Sequence, residues 1–464
     1  MVGTEPGGSG SKPVVTGLTF DREPLAPPLA KKANDLDALR AAVIDAAGVS
    51  GALWLSYLFV LFYFLIAAGG VTHKDLFLEN PVKLPFLNVD LPLRGFFFLG
   101  PLIFLIVHTY VLLHFVVLAG KVRAFDAALL DQVTWFEARA SLRRQLPTNI
   151  FVQFLAGPRE VRLGVVSVML WSIAVISLVA GPVAVLLFFE LQFLPYHGEW
   201  ITWVQRLAVI CDLLVLWTLW PRIAARAVDT ESGQAFGWRR PRWFSTRVMR
   251  ATLAAGCLIL AVLVPLVTTF PGETIDPWIP RSVNLPPWGT IPTPVLNWTR
   301  RLLVEGEIDP AARRPVSPWS NRLVLPGFDV IDHTRLDSEA KIAALPETVS
   351  LRGRQLRRAV LTDAGLRKAD LTGADLSEAQ LDGADLRLAK LECEQSDAAG
   401  QHQTCANLQG ASLRRVSLQG TSLDGVSMQG VSLADAKLQG ALLIQAKLQG
   451  AVLNGANLEG AALI

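Results

Sequence analysis

A large apolar residue returns at every fifth position through the C-terminal quarter of this 464-residue chain. From 407 to 433 the sequence reads NLQGASLRRVSLQGTSLDGVSMQGVSL, with leucine or methionine at 408, 413, 418, 423, 428 and 433. A step of five turns about 500° around an α-helix axis, which would scatter these side chains. In a flat strand the same step would send them to alternating faces. The period therefore predicts a chain that turns a corner every five residues and points each leucine at one axis.

The positions around each leucine fit this interpretation. The residue two before it is small, as at Ala359 and Ala364, and would also point inward because side chains alternate along an extended chain. The residue two after it is often glycine, which tolerates the dihedral angles of a tight corner. The predicted core of the coil is Leu361, Leu366, Leu371, Leu376, Leu381, Leu386, Leu391, Leu408, Leu413, Leu418, Leu423, Met428, Leu433, Leu438, Leu443, Leu448, Leu453, Leu458 and Leu463.

The stretch ADLTGADLSEAQLDGADL, at 369–386, resembles the pentapeptide-repeat family, whose repeat is written A(D/N)Lxx. The resemblance covers 349–464 and implies an all-β, right-handed quadrilateral β-helix with four repeats in each coil. Coils stacked at the spacing of hydrogen-bonded strands would make a tower about 24 Å tall. Its last coil has no cap, so we expect this edge to be open to a partner or to a second copy in a homo-oligomer.

The five-residue register breaks once, between Leu391 and Leu408, and predicts a polar loop insertion at 392–405. Cys393 and Cys405 lie at the two ends of this loop. In a domain outside the cytoplasm they would form a disulfide, and in a cytoplasmic domain they would be two free thiols. A location of the repeats outside the cytoplasm favours the disulfide.

The N-terminal half is predicted to be a membrane α-helical bundle. The chain is 51% hydrophobic and 18% charged, and five apolar segments are long enough to span about 30 Å of hydrocarbon. The domains predicted are a largely disordered cytoplasmic tail (1–49), a transmembrane domain of five helices (50–270), a Pro/Trp-rich linker and cap (271–348) and the repeats (349–464). The five transmembrane helices are placed at about 51–70, 95–118, 164–189, 201–220 and 251–270.

Loop charges predict the orientation of the bundle. Seven Lys or Arg lie between the second and third segments and seven between the fourth and fifth, whereas the other two loops hold three and none. The basic loops and the N-terminus are therefore expected inside. Five crossings would place the repeats outside, in the periplasm of a bacterial cytoplasmic (inner) membrane. Segments such as LPTNIFVQFLAGP also resemble bacterial multi-pass membrane proteins that carry pentapeptide repeats.

Two pairs of ionisable residues fall within the apolar segments. His108 and Asp212 share a depth near the midplane, so we predict an intramembrane polar pair, either a structural staple or a proton site. Glu190 and Arg206 flank a short loop and are predicted to pair near the interface, although Arg206 could equally extend to water. His114 lies six residues from His108, which is not the spacing of a metal pair.

The function predicted is a membrane-anchored interaction or scaffold module that presents a rigid β-helix outside the cytoplasmic membrane. Its partners would be the lipid bilayer and a protein or envelope component, with no cofactor and no nucleic acid. The alternative is a transport or proton-coupled role centred on His108 and Asp212. Mimicry of DNA to protect a topoisomerase ranks last, because 351–464 holds twelve basic and twelve acidic side chains. No catalytic constellation stands out, so an enzyme is not predicted.

Overall fold

The first half of the chain is a bundle of long helices in the computed structural model. The structure describes residues 28–85, 89–162, 165–224, 320–331, 344–394 and 404–463, together with 284–285, 289–290, 308–309 and 314–315. The bundle begins with α1 (Pro28–Gly69), α2 (His73–Leu78), the strand pair β1 (Val82–Lys83) and β2 (Asp90–Leu91), and α3 (Leu93–Gln132).

Short helices follow α3 before the chain re-enters the bundle. They are α4 (Phe136–Arg144), α5 (Ile150–Ala156) and α6 (Arg159–Arg162). The apolar face of α5 is buried between α1 and α3, where the Phe151 ring lies 4.1 Å from that of Phe115 and 5.9 Å from that of Trp54. This end of the bundle is therefore filled by aromatic side chains.

The last described helices of the bundle form an antiparallel pair. One runs through α7 (Val165–Val175), a π turn (Ile176–Ala180) and α8 (Gly181–Phe193), and after the 3₁₀ turn Leu194–Tyr196 the chain returns along α9 (Glu199–Ala224). α3 packs against both α1 and α9. We call the end where α1 ends and α3 and α9 begin the repeat-facing end, and the other the far end.

Four helices among the described residues are long and apolar enough to cross a membrane. They are Asp35–Gly69, Leu93–Gln132, Val165–Tyr196 and Glu199–Ala224. The predicted fifth segment, 251–270, lies outside the described residues. The prediction of a largely disordered tail up to residue 49 is wrong over residues 28–49, because α1 begins at Pro28 and its buried Val43, Ala46 and Ala47 pack on the bundle.

Two short strand pairs are described between the bundle and the repeats. β3 (Asn284–Leu285) pairs with β4 (Gly289–Thr290), and β5 (Ile308–Asp309) pairs with β6 (Arg314–Pro315), both antiparallel. The segment 320–331 then joins the repeats, because Val324 and Asp329 form parallel bridges with Val360 and Gly365. Part of the predicted linker and cap is thus paired with the first coil.

The repeats form a solenoid in which each parallel bridge joins a residue to one twenty positions later, as in Ser350 with Asp370. Outside the insertion, the corner two residues after each leucine from Leu356 to Leu458 has a positive φ, whether the residue is Gly373 (67°) or Arg358 (58°). Glycine is frequent there because it alone adopts this conformation without steric cost. The small residues and leucines face one shared interior.

The predicted core is buried over most of its length. Fifteen of its members, from Leu361 to Leu443, are at most 3% exposed, and Leu448, Leu453 and Leu458 are partly buried. Leu463 is 56% exposed, so its prediction as a core residue is wrong. No further coil packs over it within the described chain, and its side chain keeps one uncovered face.

The insertion leaves the ladder intact. Bridges across it join residues thirty-two apart, as in Asp375 with Asn407, instead of twenty apart. Twelve residues therefore loop out while the leucines on either side stay in register. The loop leaves and returns through an antiparallel pair, β7 (Cys393–Glu394) with β8 (Thr404–Cys405).

Candidate functional sites in the bundle and at its junction with the repeats

The first coil of repeats is attached to the bundle through one buried guanidinium group. Arg354 Nη2 donates to the Leu76 carbonyl oxygen at 2.8 Å, and Nη1 donates to Glu79 Oε1. Its guanidinium lies 4.1 Å from the ring centroid of Tyr196. Glu79 also accepts hydrogen bonds from Arg94 and from the Tyr196 hydroxyl, each at 2.7 Å. We call Glu79, Arg94, Tyr196 and Arg354 the junction cluster.

Local structure presents Glu79 to this cluster. A capping box between Thr72 and Asp75 starts α2, and Glu79 ends the helix in the left-handed conformation, with φ of 53°. Burial would raise the pKa of Glu79, but hydrogen bonds from Arg94 and Tyr196 and the charge of Arg354 lower it below the usual value. The carboxylate is therefore ionised at neutral pH and binds both guanidinium groups.

A second contact joins α2 to the segment 320–331. The Val324 N–H donates to His73 Nδ1 at 3.0 Å, and the rings of Phe77 and Phe328 meet edge to face at 5.9 Å. Burial lowers the pKa of His73, which keeps Nδ1 free to accept this bond. Lys74 Nζ lies 5.5 Å from the Phe328 ring centroid. The repeats thus rest on the bundle through both apolar and polar contacts.

His108 and Asp212 meet in the middle of the bundle, as their matched depth predicts. His108 Nδ1 lies 2.5 Å from Asp212 Oδ1, and Nε2 lies 3.1 Å from the carbonyl oxygen of Leu178 in the π turn. Both side chains are 0% exposed. The Tyr57 ring stacks on the imidazole at 5.7 Å. π turns within α-helices often mark functional positions.

The hydrogen bonds of His108 restrict the charge of the pair. A carbonyl can only accept, so Nε2 carries a hydrogen that it donates to Leu178. One further proton then lies between Nδ1 and Oδ1, on either the imidazole or the carboxyl group. In both arrangements the pair is neutral overall, which suits a fully buried site because an uncompensated charge there is costly.

The other predicted pair is also brought together. Arg206 Nε donates to Glu190 Oε1 at 3.0 Å, and the guanidinium lies 4.7 Å from the Trp203 ring centroid. Their side chains are only 6% and 2% exposed. The pair is therefore buried within the bundle, about 10 Å along α9 from its start.

A cavity of about 410 Å³ lies at the repeat-facing end, where α3 and α9 begin beneath the first coil. It is lined by Arg94, Tyr196, His197, Gly198, Glu199, Trp200, Ile201, Gly353, Arg354 and Gln355. Burial and the charge of Arg357 lower the pKa of His197 to about 4, although Asp375 opposes this. His197 is therefore neutral at physiological pH.

Cys393 and Cys405 face each other across β7 and β8 and are joined by a disulfide bond. The bond lies directly over the corner of the next coil. A Cβ atom placed on Gly425, whose φ is 72°, would come 2.6 Å from Cys393 Sγ. Cys211 is a free, exposed cysteine on α9. The predicted alternative of two free thiols at the loop ends is not what the structure contains.

The sequence did not single out Tyr57, Glu79 or Arg354. For Arg354 a signal exists: it stands two residues before Leu356, where the other repeats carry a small inward-pointing residue. An arginine at that position cannot enter the apolar interior, and its side chain extends to the bundle instead. Among the described residues no group of three or more His, Cys, Asp or Glu could hold a metal ion.

This fold defines a class of protein in which helices of membrane-spanning length carry a solenoid of five-residue repeats. Sequence comparison matches residues 355–392, 404–440 and 432–464 to the family described as Pentapeptide repeats, in eight copies. The chain belongs to the pentapeptide-repeat family through this C-terminal region.

Several solved structures are similar to part of this chain. Rfr23, a pentapeptide repeat protein from the cyanobacterium Cyanothece 51142, is 30% identical over 23% of this chain and 65% of its own length, with a TM-score of 0.19. HetL from the cyanobacterium Nostoc sp. strain PCC 7120, involved in heterocyst differentiation regulation, is 32% identical over 25% and 68%, with a TM-score of 0.10.

Full-length QnrB1, a plasmid-mediated fluoroquinolone resistance protein, is 17% identical over 25% of this chain and 68% of its own length, with a TM-score of 0.14. A comparison with curated proteins finds no match. Each of these three structures covers a quarter of this chain or less.

Proposed function

We propose that this protein holds its β-helix outside the cytoplasmic membrane as a rigid, membrane-fixed platform for a protein or envelope partner. The observation that carries the proposal is the junction cluster. Arg354 is 6% exposed and bonds to two groups of the bundle, so the first coil is fixed to the membrane domain. A flexible tether would leave the tower free to tumble, whereas this contact orients its faces relative to the bilayer.

The proposed sidedness rests on loop charges. The chain between α3 and α7 carries five arginines between residues 139 and 162, and this region lies at the far end. The loop between α8 and α9 at the repeat-facing end carries no Lys or Arg. By the positive-inside rule the far end is cytoplasmic and the repeats lie outside. The disulfide fits an oxidising compartment.

A fifth crossing is part of the proposal. α9 runs from Glu199 at the repeat-facing end to Ala224, about 38 Å away at the far end. Val324 is again at the repeat-facing end, bonded to His73. The apolar sequence at 251–270 is long enough to supply the return. The four-sided, right-handed form of the coil is likewise proposed, on the twenty-residue spacing of its bridges.

Two experiments in intact cells test the platform. A reporter enzyme that is active only in the periplasm, fused after Ile464, should be active, and an inactive but well-expressed fusion would contradict the placement. Photocrosslinkers on the exposed faces of the tower should capture the same partner from several neighbouring positions. Arg354→Ala should reduce this capture, whereas Arg352→Ala, at a side chain that is 50% exposed, should not.

A proton-coupled role for His108 and Asp212 is a second candidate, favoured by the proton that the pair shares. Asp212→Asn tests it in a deletion strain. Asparagine can donate to His108 Nδ1 and keep the pair neutral, but it cannot exchange the proton. Loss of the phenotype with normal folding would support proton coupling, and full rescue would leave the pair as a structural staple.

A further inference from the structure

The buried face of α9 changes character halfway along its length. Between the repeat-facing end and the middle of the bundle it carries four polar side chains, Thr202, Gln205, Arg206 and Asp212, together with the small apolar residues Ala208 and Val209. From the middle to the far end it carries only Leu216, Leu219 and Ile223. The buried side chains of α3 beyond His108 are likewise apolar until Asp126 is reached. We call Thr202, Gln205, Arg206 and Asp212 the polar stripe. It extends from the middle of the bundle to the repeat-facing end and does not continue to the far end.

Three polar atoms near this stripe lack a hydrogen-bond partner among the residues that the structure describes. They are Gln205 Oε1, Asp212 Oδ2 and the Tyr57 hydroxyl, on side chains that are at most 1% exposed. Gln205 and Asp212 are seven residues apart, so they lie on the same face of α9, about 10 Å from each other along its axis. Buried polar atoms without a protein partner are usually bonded to ordered water.

We propose that bound waters occupy this stripe and connect the His108–Asp212 pair with the repeat-facing side alone. One water would accept from the Tyr57 hydroxyl and donate to Asp212 Oδ2, and others would donate to Gln205 Oε1. The cavity of about 410 Å³ at the start of α9 would supply them. The inference does not depend on the platform function, because it concerns only the interior of the bundle.

The far side is closed by packed side chains. Phe115 and Phe151 lie 4.1 Å apart between ring centroids, and Leu216 and Leu219 cover the adjacent face of α9. Ser50 and Ser177 are buried hydroxyls on this side. Ser177 accepts a hydrogen bond from Trp54 Nε1 at 3.2 Å, and a serine hydroxyl such as that of Ser50 can bond within its own helix. The pair would thus exchange protons and water with one compartment and provide no path across the membrane.

Radiolytic hydroxyl-radical labelling of the full chain in lipid nanodiscs tests the proposal, because radicals form at bound waters and oxidise the nearest side chain. Tyr57 and Phe115 are both 1% exposed and have similar intrinsic reactivity. We expect Tyr57 to be oxidised about tenfold faster than Phe115, since only Tyr57 would lie beside bound water. Phe115→Tyr, which places a phenol on the closed side, should stay as slow as Phe115.

Variants identify the route. Gln205→Leu should reduce the labelling of Tyr57 towards that of Phe115, whereas Asp212→Asn, which keeps its hydrogen-bonding capacity, should leave it unchanged. Equal oxidation of Tyr57 and Phe115 in the native chain would overturn the proposal. Rapid labelling of Phe115→Tyr would show that the path is not one-sided. Undiminished labelling of Tyr57 in Gln205→Leu would refute the route along α9.

Discussion

Removing His108 alone should destabilise the bundle far more than removing both members of the His108–Asp212 pair. His108→Leu leaves the Asp212 carboxyl group with no partner at a site that is 0% exposed. Breaking a buried pair in this way costs about 3–5 kcal/mol. Asp212→Leu leaves a neutral imidazole that still donates to Leu178, so its cost is about 1–3 kcal/mol.

The double variant His108→Leu/Asp212→Leu removes both polar groups and leaves only the Leu178 carbonyl without its bond. We expect it to lose about 1–3 kcal/mol, less than the sum of the two single variants. The double-mutant cycle should therefore give a coupling energy of about 3 kcal/mol or more. Asp212→Asn, which can donate to His108 Nδ1, should cost only about 1 kcal/mol.

The measurement is the free energy of unfolding in mixed detergent micelles, followed by tryptophan fluorescence while a denaturing detergent is added. Thr109→Val provides the control, because its hydroxyl bonds to the Leu105 carbonyl within the same helix and reaches neither member of the pair. Additive effects of the two leucine substitutions would refute the reasoning. An Asp212→Asn variant as unstable as His108→Leu would also refute the reasoning, because a neutral hydrogen bond to His108 would then not be enough to stabilise the site.

Three further predictions concern the junction and the repeats. Arg354→Ala should destabilise the attachment of the first coil by about 2–4 kcal/mol in chemical denaturation, because two charge-assisted bonds are lost, whereas exposed Arg352→Ala should have little effect. Gly425→Ala should lower the melting temperature of the repeats more than Gly430→Ala. Both positions have a positive φ, but only at 425 would the added Cβ meet the disulfide. The pKa of His197 is about 4 in the folded protein and 6.5 ordinarily, so the unfolded chain takes up a proton at higher pH than the folded one. The free energy of unfolding should therefore fall as the pH drops from 6.5 to about 4. His197→Asn should abolish this part of the pH dependence when unfolding is measured across that range.

The repeats and the helices could be predicted because their signals are local. A leucine every five residues fits one kind of coil, and the small residues and glycines around it occupy fixed places in the same corner. The match in depth between His108 and Asp212 could also be found by counting along two apolar segments. The π turn at Leu178 and the stacking of Tyr57 could not be predicted, because both depend on how four helices pack together.

The extent of α1 shows the limit of reasoning from hydrophobicity alone. Residues 28–49 include charged side chains and look unlike a membrane segment, yet they continue the same helix. Their Val43, Ala46 and Ala47 are buried against the bundle, and Asn149 donates to the carbonyl oxygen of Ala47 at 2.9 Å. Tertiary contacts at the far end therefore stabilise this extension of α1. A search for apolar runs alone assigns the same residues to a disordered tail.

The junction also explains how the first coil of the solenoid is stabilised. In a repeat array each interior coil is covered by a neighbour on both sides, and an uncovered end loses one of these interfaces. Here 320–331 pairs with the first coil, and Phe328 of this segment packs on Phe77 of α2. Arg354 fills the small-residue position of that coil and bonds to the same end of the bundle. One set of contacts thus both covers the first coil and fixes its orientation. Substitutions that weaken these contacts should therefore destabilise the first repeats before the last ones.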